Sequence, residues 1–222
     1  MKELKFLATP EKGETSALLS PPDRATHLLV LGHGASSNMR TPMMEAIAEA
    51  MAGDGIATFR YNFPYSEHRR GRDSKDVCTA TIRAAVKTAK EAAPGMPVLA
   101  GGHSFSGRMT STAASEAPLE GVKGLVFFSF PLHPAGDPAA TRAEHLKDVN
   151  LPMLFLSGTR DALAELDLLR PVVKGLGRRA TLHLVDTADH SFKILKRTRA
   201  SNENVFTELA RVVREWAAAN TH

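Results

Sequence analysis

Short apolar runs alternate with longer helical patterns along most of this chain, and the alternation limits the folds open to it. The runs are rich in Val, Leu, Ile and Phe and predict buried strands at residues 27–31, 56–61, 97–101, 122–129, 152–157 and 181–185. The other segments predict helices at residues 42–53, 74–92, 105–116, 163–176 and 203–219. Because parallel strands need crossover connections, this order predicts a mostly parallel sheet with helices on both faces.

The first twenty residues follow a different pattern. Residues 2–8 and 14–20 flank a turn at residues 10–13, which predicts an antiparallel hairpin at one edge of the sheet. The 222 residues, 43% of them hydrophobic, are enough for one substantial core, and no linker or repeat interrupts them. We therefore expect one domain over residues 1–222.

Charge and composition narrow the expected partners. The net charge is +4, and the densest basic run, Arg-Arg-Gly-Arg at 69–72, stands outside any recognisable nucleic-acid module. We expect a solvated loop there, with a clamp for an anionic substrate group as the alternative, and no nucleic-acid partner. Without a signal sequence or membrane-length run, and with Cys78 as the only cysteine, the chain is expected to be cytoplasmic, with no membrane partner. No feature indicates an oligomeric state.

One serine stands where a predicted strand meets a predicted helix, in the sequence Gly-Gly-His-Ser-Phe-Ser-Gly at 101–107. A serine on a sharp strand-to-helix turn, with small residues two positions away on either side, is typical of a nucleophile. The usual pattern has glycine where this chain has Ser106, so the match is incomplete. Serine adds only a hydroxymethyl group, and we expect it to be tolerated with a hydrogen bond into the turn. Ser106 itself is a weaker candidate nucleophile, because Arg108 would then occupy a small-residue position.

An aspartate and a histidine follow later strands. Asp161 comes after the strand at 152–157, and His190 comes after the strand at 181–185. Because carboxyl ends of parallel strands meet at one edge of a sheet, we expect Ser104, Asp161 and His190 to meet there. A serine hydroxyl needs an imidazole to take its proton, and the imidazole needs an acceptor that fixes its tautomer.

Each of these three residues has a structural alternative. Ser104 could cap a helix, His190 could be a surface residue, and Asp161 could stabilise a turn. Asp186 and Asp189 are alternative partners for the imidazole, although Asp189 is badly placed beside it in sequence.

Acyl transfer also requires donors for an oxyanion, usually two backbone N–H groups. We expect one from Phe105, directly after the serine, and one from Ala35 in the loop after the strand at 27–31. The glycines at 32 and 34 do not complete a dinucleotide fingerprint, since Ser37 stands where a third glycine belongs. Neither a Walker A motif nor zinc-ligand spacing occurs, and we expect no cofactor and no metal.

The same motifs carry a resemblance to a known family. They are the segments 32–35, 59–65, 102–108, 130–134, 158–161 and 188–192. In this order they resemble the small dienelactone-hydrolase-like α/β-hydrolases, above all the branch of testis-expressed protein thirty and the third NSL-complex subunit. The resemblance implies an α/β-hydrolase fold with the same triad and oxyanion pair. A dienelactone hydrolase proper would have cysteine at position 104, so dienelactone is not the expected substrate.

We expect a serine hydrolase that cleaves a small carboxylic ester through an acyl-enzyme. The alternatives are a non-catalytic interaction domain, or an acyltransferase or thioesterase with the same triad. His33, Gly34 and His133 are predicted to line the substrate pocket, with a structural loop role as the alternative for His133. The segment after residue 129 leaves little room for a cap, which favours small or extended esters in an open pocket.

Overall fold

The computed structural model describes residues 1–68 and 70–221, so Arg69 of the basic run and the final His222 lie outside the described residues. In the described part the strands are β1 (Lys2–Thr9), β2 (Gly13–Ser20), β3 (His27–Gly32), β4 (Ile56–Tyr61), β5 (Val98–His103), β6 (Val122–Phe128), β7 (Met153–Gly158) and β8 (Ala180–Val185). The α-helices are α1 (Pro42–Gly53), α2 (Pro64–Glu67), α3 (Lys75–Ala92), α4 (Phe105–Glu116), α5 (Leu166–Leu176) and α6 (Val205–Asn220). Two 3₁₀ helices cover Thr141–Asp148 and Gly177–Arg179.

The strands form one sheet in the order β1-β2-β4-β3-β5-β6-β7-β8. β1 pairs antiparallel with β2 and β2 with β4, whereas every pairing from β4 through β3 to β8 is parallel. The chain crosses from β3 to β4 on one side and then returns to β5 on the other. The carboxyl ends of β3 and β5 therefore flank a topological switch point, where open α/β sheets bind ligands. This sheet confirms the predicted fold class, including the edge hairpin.

Each face of the sheet has its own apolar layer. Along β3, Leu28 and Val30 pack on the side of α3 and α4, while Leu29 and Leu31 pack on the side of α1 and α6. This division follows from the two-residue period of a strand, which sends successive side chains to opposite faces. Cys78 of α3 is buried in the first layer, and burial raises the pKa of its thiol to about 12.

The observed boundaries differ from the predicted ones mainly around α5. This helix begins at Leu166 rather than at residue 163, because the preceding residues form a turn around Asp161. The Asp161 carboxylate accepts the N–H of Leu163 at 2.9 Å, and its carbonyl accepts the N–H of Ala164 at 3.3 Å. The short α2 and the 3₁₀ helix at Thr141–Asp148 were not predicted. None of the described helices has the length and apolar character needed to cross a bilayer.

Candidate active site

Ser104 occupies the single position between β5 and α4. Its backbone has φ 52° and ψ −109°, a conformation that is costly for a residue with a side chain. Two hydrogen bonds hold it there: its N–H donates to Phe128 O at 2.9 Å, and its carbonyl accepts the N–H of Arg108 at 3.2 Å. The strained turn is therefore fixed by the neighbouring strand β6 and by the first turn of α4.

Close backbone packing explains the glycines around this turn. Gly102 has φ +147°, and a Cβ there would lie 2.3 Å from Gly32 O and 2.2 Å from Ser106 Oγ. A Cβ on Gly32 would lie 2.5 Å from the Ser106 Cβ. The close approach of β3, β5 and α4 thus requires glycine at 32 and 102, and it leaves room for serine at 106.

Ser106 is accommodated by a hydrogen bond within the turn. Its side chain is fully buried, and its hydroxyl donates to His103 O at 3.1 Å. This contact confirms the predicted hydrogen bond, and it ties the start of α4 to the end of β5. The departure from the usual glycine therefore adds a polar contact without displacing Ser104.

Replacing Ser106 with glycine is expected to leave ester hydrolysis within about threefold of wild type and to lower the free energy of unfolding by about 1–2 kcal/mol. The cost combines a lost buried hydrogen bond with the flexibility of glycine in a helix. Urea denaturation and steady-state kinetics on the same preparation measure both effects. A loss of activity beyond about a hundredfold, with the fold intact, would show that the Ser106 hydroxyl itself acts in the reaction.

The structure brings Ser104, His190 and Asp161 together at the carboxyl ends of β5, β7 and β8. His190 Nε2 lies 2.8 Å from Ser104 Oγ, and His190 Nδ1 lies 2.9 Å from each carboxylate oxygen of Asp161. The carboxylate can only accept, so it fixes the proton on Nδ1 and leaves Nε2 free to accept the serine proton. The Asp161 side chain is fully buried, whereas the imidazole is partly exposed beside the serine.

The alternative aspartates stabilise loops instead. Asp189 accepts the N–H groups of Ser191 and Lys193, at 2.8 and 3.0 Å, in the turn that contains His190. Asp186 accepts the N–H of Ala200 at 3.0 Å. Neither carboxylate contacts the imidazole, which leaves Asp161 as its partner.

The loops that contain Asp161 and His190 are joined to each other. Arg160 N–H donates to Ala188 O at 2.9 Å, and Thr187 N–H donates to Thr159 Oγ1 at 2.8 Å. A Cβ at Gly158 would lie 2.2 Å from Ala188 O, so the two loops approach too closely for any larger residue. These contacts hold the aspartate and the histidine in a fixed relation.

His103, the residue before the serine, is a supporting group that the sequence analysis missed. Its Nε2 lies 3.0 Å from His190 O, and because a carbonyl only accepts, this nitrogen is the protonated one. Its Nδ1 is buried and has no hydrogen-bond partner among the described residues. Burial lowers the pKa of His103 to about 4. A histidine at the end of an otherwise apolar buried strand was the available signal.

The expected oxyanion donors lie at the ends of adjacent strands. β3 and β5 pair with Gly32 opposite Gly102, so the loop that contains Ala35 leaves the sheet beside the Ser104 turn. Phe105 is the first residue of α4, where backbone N–H groups have no acceptor within the helix. Neither N–H has a protein acceptor in the described ranges. Both are available for an oxyanion.

The three residues predicted to line the substrate pocket, His33, Gly34 and His133, are all buried. His33 is fully buried, donates from Nδ1 to Gly34 O at 2.8 Å and accepts the N–H of Phe63 at Nε2, at 3.2 Å. Gly34 is also buried, and a Cβ there would lie 3.0 Å from a ring nitrogen of His103. His33 therefore supports the loop that contains Ala35 through its bond to Gly34, and it offers no free ring nitrogen to a substrate.

His133 makes contacts that are typical of a structural loop residue. Its side chain is fully buried, its Nδ1 lies 2.8 Å from Pro134 O, and its Nε2 contacts the Glu165 carboxylate. Because Glu165 precedes α5, this pair joins the segment after β6 to the segment after Asp161.

Acidification is expected to destabilise the protein through His33 and His103. Burial lowers both pKa values to about 4, against about 6.5 in an unfolded chain. Between these values the unfolded chain binds more protons, so the free energy of unfolding falls as pH falls from about 6.5 to 4. Urea denaturation across this window measures the slope, which should be smaller in His33→Gln. Equal slopes in the variant and the wild type would contradict this account of His33.

The geometry defines a class of protein: a Ser-His-Asp arrangement at the carboxyl edge of a mostly parallel sheet, as in α/β-hydrolases. Residues 25–218 match the family described as alpha/beta hydrolase domain. The chain belongs to this family.

Solved structures share the fold at low sequence identity. A dienelactone hydrolase from Anabaena variabilis is 20% identical with a TM-score of 0.76, over 100% of this chain and 99% of that one. A lidless α/β serine hydrolase from Xanthomonas campestris is 19% identical with a TM-score of 0.73, over 100% and 96%. Est1E from Butyrivibrio proteoclasticus, with ferulic acid bound, is 17% identical with a TM-score of 0.73, over 93% and 95%. The narrower resemblance to the testis-expressed protein thirty branch stays a prediction.

Proposed function

We propose that this protein is a serine hydrolase that cleaves small carboxylic esters through an acyl-enzyme intermediate. The observation that carries the proposal is the continuous hydrogen-bonded chain from Ser104 Oγ through both nitrogens of His190 to the buried Asp161 carboxylate. Each distance is within the range for proton transfer or tautomer control. A serine that only capped α4 would need neither contact, and the Ser104 side chain makes no hydrogen bond that caps the helix.

In the first half-reaction, Ser104 Oγ attacks the ester carbonyl carbon and transfers its proton to His190 Nε2. The imidazolium that forms is stabilised by the ionised Asp161, which is in contact with its Nδ1–H. The proton then passes from Nε2 to the departing alkoxide. The alcohol leaves, and the acyl group remains on Ser104.

The tetrahedral intermediate carries a negative oxygen that needs fixed donors. We assign the backbone N–H groups of Ala35 and Phe105 to this role, since both are free and both adjoin the serine turn. In the second half-reaction, His190 removes a proton from water, and the hydroxide attacks the acyl carbon. The bond between the acyl carbon and Ser104 Oγ then breaks, His190 returns the proton to Ser104 Oγ, and the acid product leaves.

The segment between β6 and β7 favours small or extended substrates. Its only helix is the 3₁₀ helix at Thr141–Asp148, so no α-helical cap is built from this part of the chain. The cleft beside Ala35 opens to solvent. Esterase and serine hydrolase appear in the names of structurally similar proteins, which is consistent with the proposal.

The test is the accumulation of an acyl-enzyme. The wild-type protein is mixed with para-nitrophenyl acetate, quenched in acid and analysed by intact mass spectrometry and peptide mapping. We expect an added acetyl group on Ser104, together with release of para-nitrophenol in repeated turnovers. If nitrophenol is released in turnovers without any acyl group on Ser104, even at high substrate and short times, the acyl-enzyme mechanism is wrong.

A further inference from the structure

Two arginines flank the serine turn. Arg108 is one helical turn after Ser104, and its backbone N–H donates to the Ser104 carbonyl at 3.2 Å. The Arg72 guanidinium lies over the ring of Phe105, with its central carbon 5.3 Å from the ring centroid. The Arg72 guanidinium thus contacts one of the two elbow residues that the mechanism uses, and the Arg108 backbone contacts the other.

The charges of these arginines are not neutralised within the described part of the chain, where neither guanidinium forms an ion pair. The carboxylates closest to them in sequence are engaged elsewhere. Asp73 pairs with Lys12 at 2.9 Å, and Glu116 pairs with Lys75 at 2.7 Å. Asp161 is committed to His190.

The surroundings of Arg108 disfavour its positive charge. Burial, and then repulsion from Arg142 and Arg72, lowers the pKa of the Arg108 guanidinium. Like charges held together without a counter-ion destabilise the free protein, and a bound anion relieves that repulsion. Structural arginines of this chain behave differently: Arg83, for example, donates to three backbone carbonyls.

A cleft of about 410 Å³ is lined by Ala35, one of the expected oxyanion donors, and by Arg70 and Arg72. The remaining lining is polar and contains no acidic residue. Four of the lining residues are serine or threonine: Ser36, Ser37, Thr41 and Ser66. A negatively charged group can therefore enter this cleft beside Ala35 without meeting a carboxylate.

We propose that the substrate of this enzyme is an ester that carries an anionic group, a carboxylate or a phosphate, and that Arg72 and Arg108 bind that group beside the serine turn. The proposal rests on the serine hydrolase function proposed above and names its substrate class. A guanidinium presents planar donors that match the oxygens of a carboxylate or of a phosphate. Arg70 and Arg142 extend the positive surface around this pair.

The experiment compares two esters that differ only in charge, mono-para-nitrophenyl adipate and its methyl ester. We expect wild-type kcat/KM to be about tenfold higher for the anionic ester, the effect of one good charged contact. Arg72→Gln and Arg108→Gln should each reduce this ratio by about threefold or more, and added salt should reduce it in the wild type. Arg24→Gln is the matched control, because Arg24 is exposed in the loop before β3, at the opposite edge of the sheet.

Separate outcomes distinguish the two proposals. If the wild type cleaves both esters equally well and the arginine variants match Arg24→Gln, the anionic substrate class is wrong and the serine hydrolase remains. If it cleaves neither ester, the hydrolase proposal fails, and binding of adipate and inorganic phosphate to Ser104→Ala, followed by NMR, decides the arginine site. Weaker binding after Arg72→Gln or Arg108→Gln supports the site, and equal binding overturns it. The more tightly bound of the two anions identifies the group.

Discussion

Replacing Ser104 with alanine is expected to lower kcat/KM for para-nitrophenyl acetate by about 10⁴ to 10⁶, the range found when the nucleophile of a catalytic triad is removed. The variant lacks the oxygen that forms the acyl-enzyme, while the backbone donors at Ala35 and Phe105 remain. The substitution should leave the fold intact, because the Ser104 hydroxyl has its only hydrogen bond among the described residues with His190, and the Cβ atom is kept. Purified variant and wild type are compared in the same assay and by thermal denaturation.

The control for this experiment is Ser106→Ala, the other serine of the same turn. Its hydroxyl donates to a backbone carbonyl and does not face the imidazole, so the variant should keep activity within about tenfold of wild type, at a cost of about 1 kcal/mol in stability. If Ser106→Ala abolished activity while Ser104→Ala retained it, the nucleophile would be misassigned. Equal, small losses in both variants would argue against serine catalysis.

Replacing Asp161 with asparagine is expected to lower kcat by about 10⁴ with little change in KM, as for the equivalent change in other triads. An amide at this position can donate to Nδ1 of His190 and so favour the tautomer with the proton on Nε2. That tautomer cannot accept the proton of Ser104. The effect is measured by steady-state kinetics, with circular dichroism to establish that the turn around Leu163 is retained.

Asp186→Asn and Asp189→Asn are the matched controls, because both carboxylates accept backbone N–H groups that an amide oxygen can also accept. Each should retain activity within about tenfold of wild type. The assignment of Asp161 would be contradicted if Asp189→Asn were the severe variant and Asp161→Asn the mild one.

The sheet could be predicted because the pattern that identifies each strand and each crossover helix lies within a short stretch of sequence. Each buried parallel strand is a short apolar run, as at 56–61 and 122–129, and each crossover helix is long enough to show its own pattern. The short α2 and the 3₁₀ helix at Thr141–Asp148 lack such a pattern. The delayed start of α5 depends on the turn that the Asp161 carboxylate stabilises, which is a tertiary arrangement.

The candidate triad was predictable because strand order alone brings the ends of parallel strands to one edge. The supporting residues could not be predicted in the same way, because their roles depend on how deeply each side chain is buried and on which distant backbone groups it contacts. His33 looked accessible in a glycine-rich loop, yet the fold covers it completely. The role of His103 follows from a contact with the backbone of residue 190, 87 positions away in sequence. The positive charge around Phe105 likewise comes from arginines in two separate segments, Arg72 and Arg108.

Labelling by a fluorophosphonate tests the central claim most directly, because the probe reacts with an activated serine whatever the natural ester is. Peptide mass spectrometry of the labelled wild-type protein should find one adduct, on Ser104. Labelling should be lost in His190→Ala and kept in Ser106→Ala. A folded wild-type protein that remains unlabelled, or that is labelled at another serine, would contradict the assignment of Ser104 as the nucleophile.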